Sequence, residues 1–258
     1  MTSSTALITG ASGGIGEALA RQLAAAGNHL VLVARSEGKL RALADDLTAR
    51  HGIRADVIAA DLAAAGAGAA LAERLGDRNV DILVNNAGFG DFGVFAEADA
   101  TKVDQMMALN MVALTDLTRA LLPGMIARHR GKVMNVASTA AFMPGPLMAV
   151  YYATKAYVLS FSEAVNHELK GTGVTMTAVC PGPVASGFQV GADMNESKLV
   201  KGKQIMSAET CARLAIKGMN RGKSVVVIGT KNKLTSMSPK FLPRSLIPGI
   251  VQRAQAPH

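Results

Sequence analysis

Short runs of consecutive apolar residues alternate along this chain with longer stretches in which apolar residues recur every three or four positions. The runs are "TALIT" (5–9), "HLVLVA" (29–34), "ADVIAA" (55–60), "DILVN" (81–85), "KVMNVAS" (132–138), "VTMTAV" (174–179) and "SVVVI" (224–228). Such short unbroken runs, rich in branched residues, predict strands covered on both faces. The periodic stretches predict helices over 14–27, 36–50, 62–75, 150–170 and 207–220, with 101–129 reading as two helices separated by a small break. Gly27 is the expected C-cap of the first helix and Ser36 the expected N-cap of the second. The alanine- and glycine-rich tract 63–72 reads as a poor helix rather than a spacer. Repeated strand–helix units predict a parallel sheet with helices on both faces and right-handed crossovers. No linker or internal repeat divides the chain, so residues 1–258 read as one domain.

Composition narrows the class. Of 258 residues, 49% are hydrophobic and 18% charged, which suits a packed core rather than disorder. Cys180 and Cys211 lie far apart, which suits a reduced, cytoplasmic protein. His29, His51, His129, His167 and His258 pair with neither cysteine at ligand spacing, so no metal site is expected. The N-terminus lacks a basic segment followed by an apolar one, so no signal peptide is expected. Nor does any uncharged apolar run approach the roughly 20 residues that span a bilayer. The net charge of +8 is concentrated at one end: residues 191–258 hold 12 Lys and Arg against 3 Asp and Glu, and the first 190 hold 15 against 16. The basic quarter reads first as a solvated face and second as a polyanion-binding surface. No nucleic-acid partner is expected.

The first stretch with chemical meaning is "TGASGGIG" (9–16), at the junction of the first strand and first helix. Gly10 can make the tight turn, while Gly14 and Gly16 let backbone approach a phosphate at the helix N-terminus. After the second strand, dinucleotide folds that prefer NAD often carry a carboxylate for the ribose hydroxyls. Here Ala34 is followed by Arg35, whose guanidinium suits a 2′-phosphate. Ser12 can add a hydroxyl and Lys39 a further cation, with Glu37 the weak candidate for a ribose carboxylate. This pattern favours NADP (NADPH) over NAD.

With further motifs in order, the chain resembles the short-chain dehydrogenase/reductases over about residues 5–230. "TGASGGIG", including Ile15, is similar to that family's cofactor turn. Asp61 and Leu62 match its adenine-contacting position. "NNAG" (85–88), with Asn86, Ala87 and Gly88, matches the segment closing the fourth strand. Asn110, Ser138, Tyr151 and Lys155 match its four catalytic positions. Pro181, Gly182, Val184 and Ser186 of "PGPVAS" match the segment beside the nicotinamide, with serine at 186 where threonine is more usual. The resemblance implies a single-domain, Rossmann-like doubly wound α/β sheet and an NADP(H)-dependent oxidoreductase interconverting a carbonyl and a secondary alcohol. In that family the tyrosine is the general acid/base and the serine holds the carbonyl oxygen. The lysine tunes the tyrosine and binds the nicotinamide ribose, and the asparagine holds a water linking that lysine to solvent. It also implies a homodimer or homotetramer.

Spacing separates the three tyrosines. Tyr151 and Lys155 are four apart and share a helix face, whereas Tyr152 has Ala156 there and Tyr157 has Phe161, which fits core packing. A neighbouring ammonium is expected to lower the tyrosine pKa from about 10.

Pocket candidates are Phe89, Phe92, Phe142, Met143, Phe188 and Met194, with a substrate lid around 183–206. The apolar mix favours a lipophilic ketone, aldehyde or secondary alcohol. The basic tail 230–258 is expected to form short helical turns or extended pieces packed near the substrate entrance or a subunit contact, with peripheral membrane contact as the lesser reading. The alternative functions are an NADP-binding redox sensor or a basic-surface binding protein on the same fold.

Overall fold

The structure, a computed structural model, describes residues 4–188 and 205–255. Seven strands form one sheet: β1 (Thr5–Thr9), β2 (His29–Ala34), β3 (Ala55–Ala59), β4 (Ile82–Asn85), β5 (Gly131–Val136), β6 (Val174–Cys180) and β9 (Val225–Val227). Their order is β3-β2-β1-β4-β5-β6-β9, all parallel. This is the doubly wound Rossmann-like sheet. A two-stranded parallel ribbon, β7 (Val184–Ala185) with β8 (Met206–Ser207), lies apart from it.

The strands bury both faces because alternate side chains point to opposite sides. Ala6, Ile8, Leu30 and Leu32 join the layer formed with α1 (Gly14–Ala25), α2 (Glu37–His51) and α7 (Ala208–Asn220). Leu7, Val31, Val33 and Leu83 join the opposite layer with α3 (Ala67–Leu75) and α5 (Leu114–Ala127). α6 (Ala149–Glu168) contributes Phe161 and Val165 to that second layer. The chain runs outward from β1 through β2 and β3, then returns to place β4 on the other side of β1. A cleft therefore opens beyond the carboxyl ends of β1 and β4, where such sheets bind ligands.

Several expectations change. Helix α1 ends at Ala25, and Gly27 stands one residue past the Ala26 cap, at φ +82°. Ser36 precedes α2 but makes no side-chain capping bond. The predicted helix 62–75 starts only at Ala67, because Asp61 Oδ1 accepts the Ala63 N–H in a turn and Gly66 adopts a left-handed φ of +71°. Between 100 and 127 there is no break. α4 (Ala100–Met107) runs through a π-helical segment, Ala108–Ala113, directly into α5. Tyr157 is not in the core: it is exposed, stacks on Phe161 and hydrogen-bonds Thr115 at 2.8 Å.

The tail is more helical than its prolines suggest. α8 (Thr230–Met237) leads through a 3-10 turn (Ser238–Phe241) to α9 (Ile247–Gln255). Pro239 and Pro248 lie in first turns, where a missing N–H leaves no helical bond unmade. Among the described residues no helix is long and apolar enough to cross a membrane, and no cluster of potential metal ligands occurs.

Candidate functional site

The cleft begins at the glycine-rich turn. Gly10 and Gly14 have φ of +66° and +57°, which disfavours any residue with a Cβ. Gly16 is packed against the turn: a Cβ there would stand 2.1 Å from the Gly10 carbonyl oxygen. Gly13 precedes α1 and no side chain caps the helix. The first N–H groups of α1 thus remain for an anion from outside the chain, the arrangement that suits a dinucleotide's phosphates.

One residue absent from the sequence expectations holds this turn. Thr9 Oγ1 accepts from the Asn86 and Ala87 N–H groups, each at 3.0 Å, and donates to the Val84 carbonyl at 3.3 Å. The Asn86 amide donates back to the Thr9 carbonyl at 2.9 Å. The "NNAG" segment is thereby fastened to the end of β1. Asn85 points below instead, donating to Thr118 at 3.1 Å and to Asn135 at 2.9 Å, and Asn135 donates to Ser162. This buried chain ties β4 and β5 to α5 and α6.

The resulting cleft has a volume of about 500 Å³. Gly10, Ser12, Gly14, Ile15, Arg35, Asn86, Ala87, Gly88, Ser138, Tyr151, Lys155, Pro181, Gly182, Val184 and Ser186 all line it, as do Lys39 and Tyr152. Arg35 and Lys39 are exposed at its rim. Glu37 is turned away and paired with Arg41 at 2.5 Å. Four of the expected catalytic and cofactor-binding residues do not line the cleft. Gly16 lies under the turn, Leu62 is buried in the core, Asp61 is exposed in its turn, and Asn110 is buried behind the wall.

At the inner end, Ser138, Tyr151 and Lys155 meet. Ser138 follows β5; its hydroxyl accepts the Ala140 N–H at 3.1 Å and lies beside the Tyr151 phenol, whose pKa it draws down. One turn along α6, Lys155 is buried, and its Nζ donates to the Val136 carbonyl at 2.8 Å and lies 5.7 Å from the centre of the Tyr151 ring. The expected lowering of the Tyr151 pKa is not found. Burial disfavours the phenolate and raises the pKa, the Ser138 contact opposing it. Lys155 carries the cost of the same burial and falls to about 8. Each group is held towards its neutral form by desolvation.

Asn110 supports this end across two elements rather than bonding its own helix. Its amide donates to the Phe89 carbonyl and to Thr154 Oγ1, both at 3.0 Å, and its Oδ1 accepts the Phe89 N–H at 3.2 Å. The π-helical turn gives Asn110 this aim, a frequent use of such segments. Thr154 had no sequence signal, since a threonine three residues beyond Tyr151 on a helix is unremarked by spacing.

Met148 and Phe188 give the cleft an apolar wall with Tyr151 and Tyr152, and Phe89, Phe92 and Met143 pack in the same cluster without lining the cleft. Phe188 lies 5.3 Å from Tyr151, ring to ring. Phe142 packs in a separate cluster with Leu159 and Val158. Met194 and most of the expected lid lie outside the described residues. Helix α9 closes the far side through Ile247 and Val251, and buried Gln255 donates to the Tyr152 hydroxyl at 2.8 Å.

Comparisons with known proteins agree with this geometry. The family described as short chain dehydrogenase matches residues 4–197. The chain is 33% identical over 245 residues to "Ketoacyl reductase HetN" of Nostoc sp., covering 94% of this chain and 84% of that protein. It is 29% identical over 252 residues to "Very-long-chain 3-oxoacyl-CoA reductase" of Mus musculus, covering 95% and 78%. Among solved structures, a short-chain dehydrogenase from Sphingobium yanoikuyae in complex with NADPH superposes with a TM-score of 0.84 at 32% identity, covering 92% of this chain and 93% of that one.

Proposed function

The chain belongs to the short-chain dehydrogenase family of oxidoreductases, and on that premise we propose that it is an NADPH-dependent reductase of apolar carbonyl compounds, with Tyr151 as general acid. The observation that carries this reading is the Ser138–Tyr151–Lys155 cluster at the blind end of a cleft whose other end presents an uncapped helix and two free-standing cations, Arg35 and Lys39. NADPH is the named ligand of the Sphingobium relative, and the cradle here fits it. The uncapped first turn of α1 would take the phosphates, and Arg35 with Lys39 the 2′-phosphate.

When bound, the reduced nicotinamide supplies the hydride to the substrate's carbonyl carbon. The chain's residues do the rest. Ser138 and Tyr151 both line the cleft, and a carbonyl oxygen bound there would accept from Ser138 Oγ and Tyr151 Oη. Burial keeps Tyr151 protonated, so its proton is held at Oη until charge develops on that oxygen. Proton donation at that moment is general acid catalysis, and the reverse reaction uses the same oxygen as base. Lys155, pinned to Val136, keeps a cation beside the phenol and favours the phenolate as the proton leaves. Asn110 and Thr154 position the floor behind Lys155 and the Phe89 backbone. The aromatic and methionine wall excludes water and favours a lipophilic substrate.

The relatives' names add 3-oxoacyl thioesters as a specific substrate class to try. A panel of lipophilic ketones, aldehydes and 3-oxoacyl thioesters, run with NADPH and with NADH, tests the proposal by absorbance of the reduced cofactor. Turnover of apolar carbonyls with NADPH is expected. NADH preference, or turnover confined to small charged substrates, would overturn it.

A further inference from the structure

The C-terminal segment packs on the protein through Ser236 of α8 and through one line of residues on α9, and leaves most of its other apolar side chains in solvent. Ile247, Val251 and Gln255 of α9, at successive turns, are buried. Leu234 and Phe241 are 73% and 80% exposed, and Met237, Leu242, Leu246 and Ile250 are exposed as well. Elsewhere among the described residues only Val94, Phe95, Val112 and Tyr157 are large, apolar and exposed. Residues 230–258 also carry Lys231, Lys233, Lys240, Arg244 and Arg253 and no carboxylate side chain. All five cations are exposed. On α8, Leu234 follows Lys231 by three residues and Met237 follows Lys233 by four, so cation and apolar side chain share a face.

We propose that this segment is a peripheral anchor that seats the protein on an anionic lipid bilayer. Phe241, Leu234 and Leu246 enter the headgroup region while the lysines and arginines lie at the phosphates. Exposed apolar side chains interleaved with cations are the composition that binds such interfaces. A second copy fits this patch less well. A two-fold contact through it would set five cations against five with no acidic side chain from the segment between them. The geometry also gives the anchor a use. Lys240, Arg244 and Ile247 form one wall of a groove of about 690 Å³ whose other side includes Met143 and Tyr152. Tyr152 lines the catalytic cleft too, so anchoring sets the outer mouth of that groove against the lipid.

Co-sedimentation of the full chain with phosphatidylcholine vesicles, with and without phosphatidylglycerol, tests the anchor. Binding is expected only to the anionic vesicles and should weaken as salt rises. Each basic residue near such a surface contributes about five-fold, so the triple variant Lys231→Gln/Lys233→Gln/Arg253→Gln should lose on the order of 100-fold in partitioning. Leu234→Ser/Phe241→Ser/Leu246→Ser should lose at least as much, with an unchanged melting temperature, because these side chains make no core contact. Absence of binding to anionic vesicles overturns the proposal, as does vesicle binding that survives the apolar substitutions. Self-association, or capture of an acidic protein, that the apolar variant abolishes without any vesicle binding would assign the patch to a protein partner and overturn it equally.

Discussion

The two ends of the cleft are built on opposite terms. At the inner end Tyr151, Lys155 and Asn110 are buried, and hydrogen bonds fasten Lys155 to Val136 and Asn110 to Phe89 and Thr154. Desolvation there moves the pKa of Tyr151 up and that of Lys155 down to about 8. At the outer end Arg35 and Lys39 stand in solvent. Under the proposed function, the inner end is organised in advance for one proton transfer. The outer end waits for a ligand whose charge completes it. Substitutions should therefore act on turnover at one end and on cofactor choice at the other.

The largest effect should come from Tyr151→Phe. General acid catalysis is typically worth about 10²–10⁴-fold, so kcat should fall by that much while NADPH still binds in fluorescence titration. Equal loss in Tyr152→Phe, with Tyr151→Phe active, would move the acid to the neighbouring residue. Next, Arg35→Ala should weaken NADPH binding roughly 10- to 100-fold and leave NADH little changed, since a hydrogen bond to a charged group contributes about 1.5–3 kcal/mol. Parallel titrations with both cofactors decide this, and equal losses would show that Arg35 does not read the 2′-phosphate.

A subtler difference lies in the pH dependence of stability. Lys155 has a folded pKa of about 8, below its ordinary value of 10.5. Between those values the unfolded chain binds the extra proton, so this group makes the fold more stable as pH rises above about 8, by up to about 1.4 kcal/mol per pH unit. The buried thiols Cys180 and Cys211, each pushed up to about 12, act oppositely above their ordinary value of 9.0. The clean window is therefore pH 8 to 9. Urea unfolding of wild type and Lys155→Met across it should show the wild-type gain and its absence in the variant. Parallel curves would mean that Lys155 is not desolvated. The smallest effect is expected from Gln255→Leu. Losing the hydrogen bond to Tyr152 costs about 1 kcal/mol, which should appear as a several-fold rise in KM for the carbonyl with kcat for the reaction nearly kept. A change in kcat alone would argue that α9 does not shape the substrate wall.

Much of the outer end was legible from sequence, because its chemistry is local. The turn "TGASGGIG" needs glycines at 10 and 14 for positive φ and at 16 for close approach, and each requirement sits within a few residues of the others. Arg35 was legible for the same reason, standing directly after β2. The Tyr151–Lys155 pair followed from helical periodicity alone. Less local features were misjudged. Tyr157 has the same i,i+4 partner type that core residues have, yet α6 turns it outward to Thr115. The helix 62–75 lost its first turn to Gly66 and Asp61, whose local preferences outweighed an alanine-rich pattern.

Order and spacing along the chain determined the alternation of strands and helices, the phosphate-cradling turn and the shared helix face of Tyr151 and Lys155, since each depends on neighbours in sequence. Only the tertiary structure decided what surrounds them. Asn110 meets Phe89 and Thr154 at separations of 21 and 44 residues, and Gln255 meets Tyr152 at a separation of 103. Burial is likewise a property of the assembled layers, so the direction in which Tyr151 shifts could not follow from its lysine neighbour alone. The removal of water around the buried ring raises the pKa, and only the contact with Ser138 opposes it.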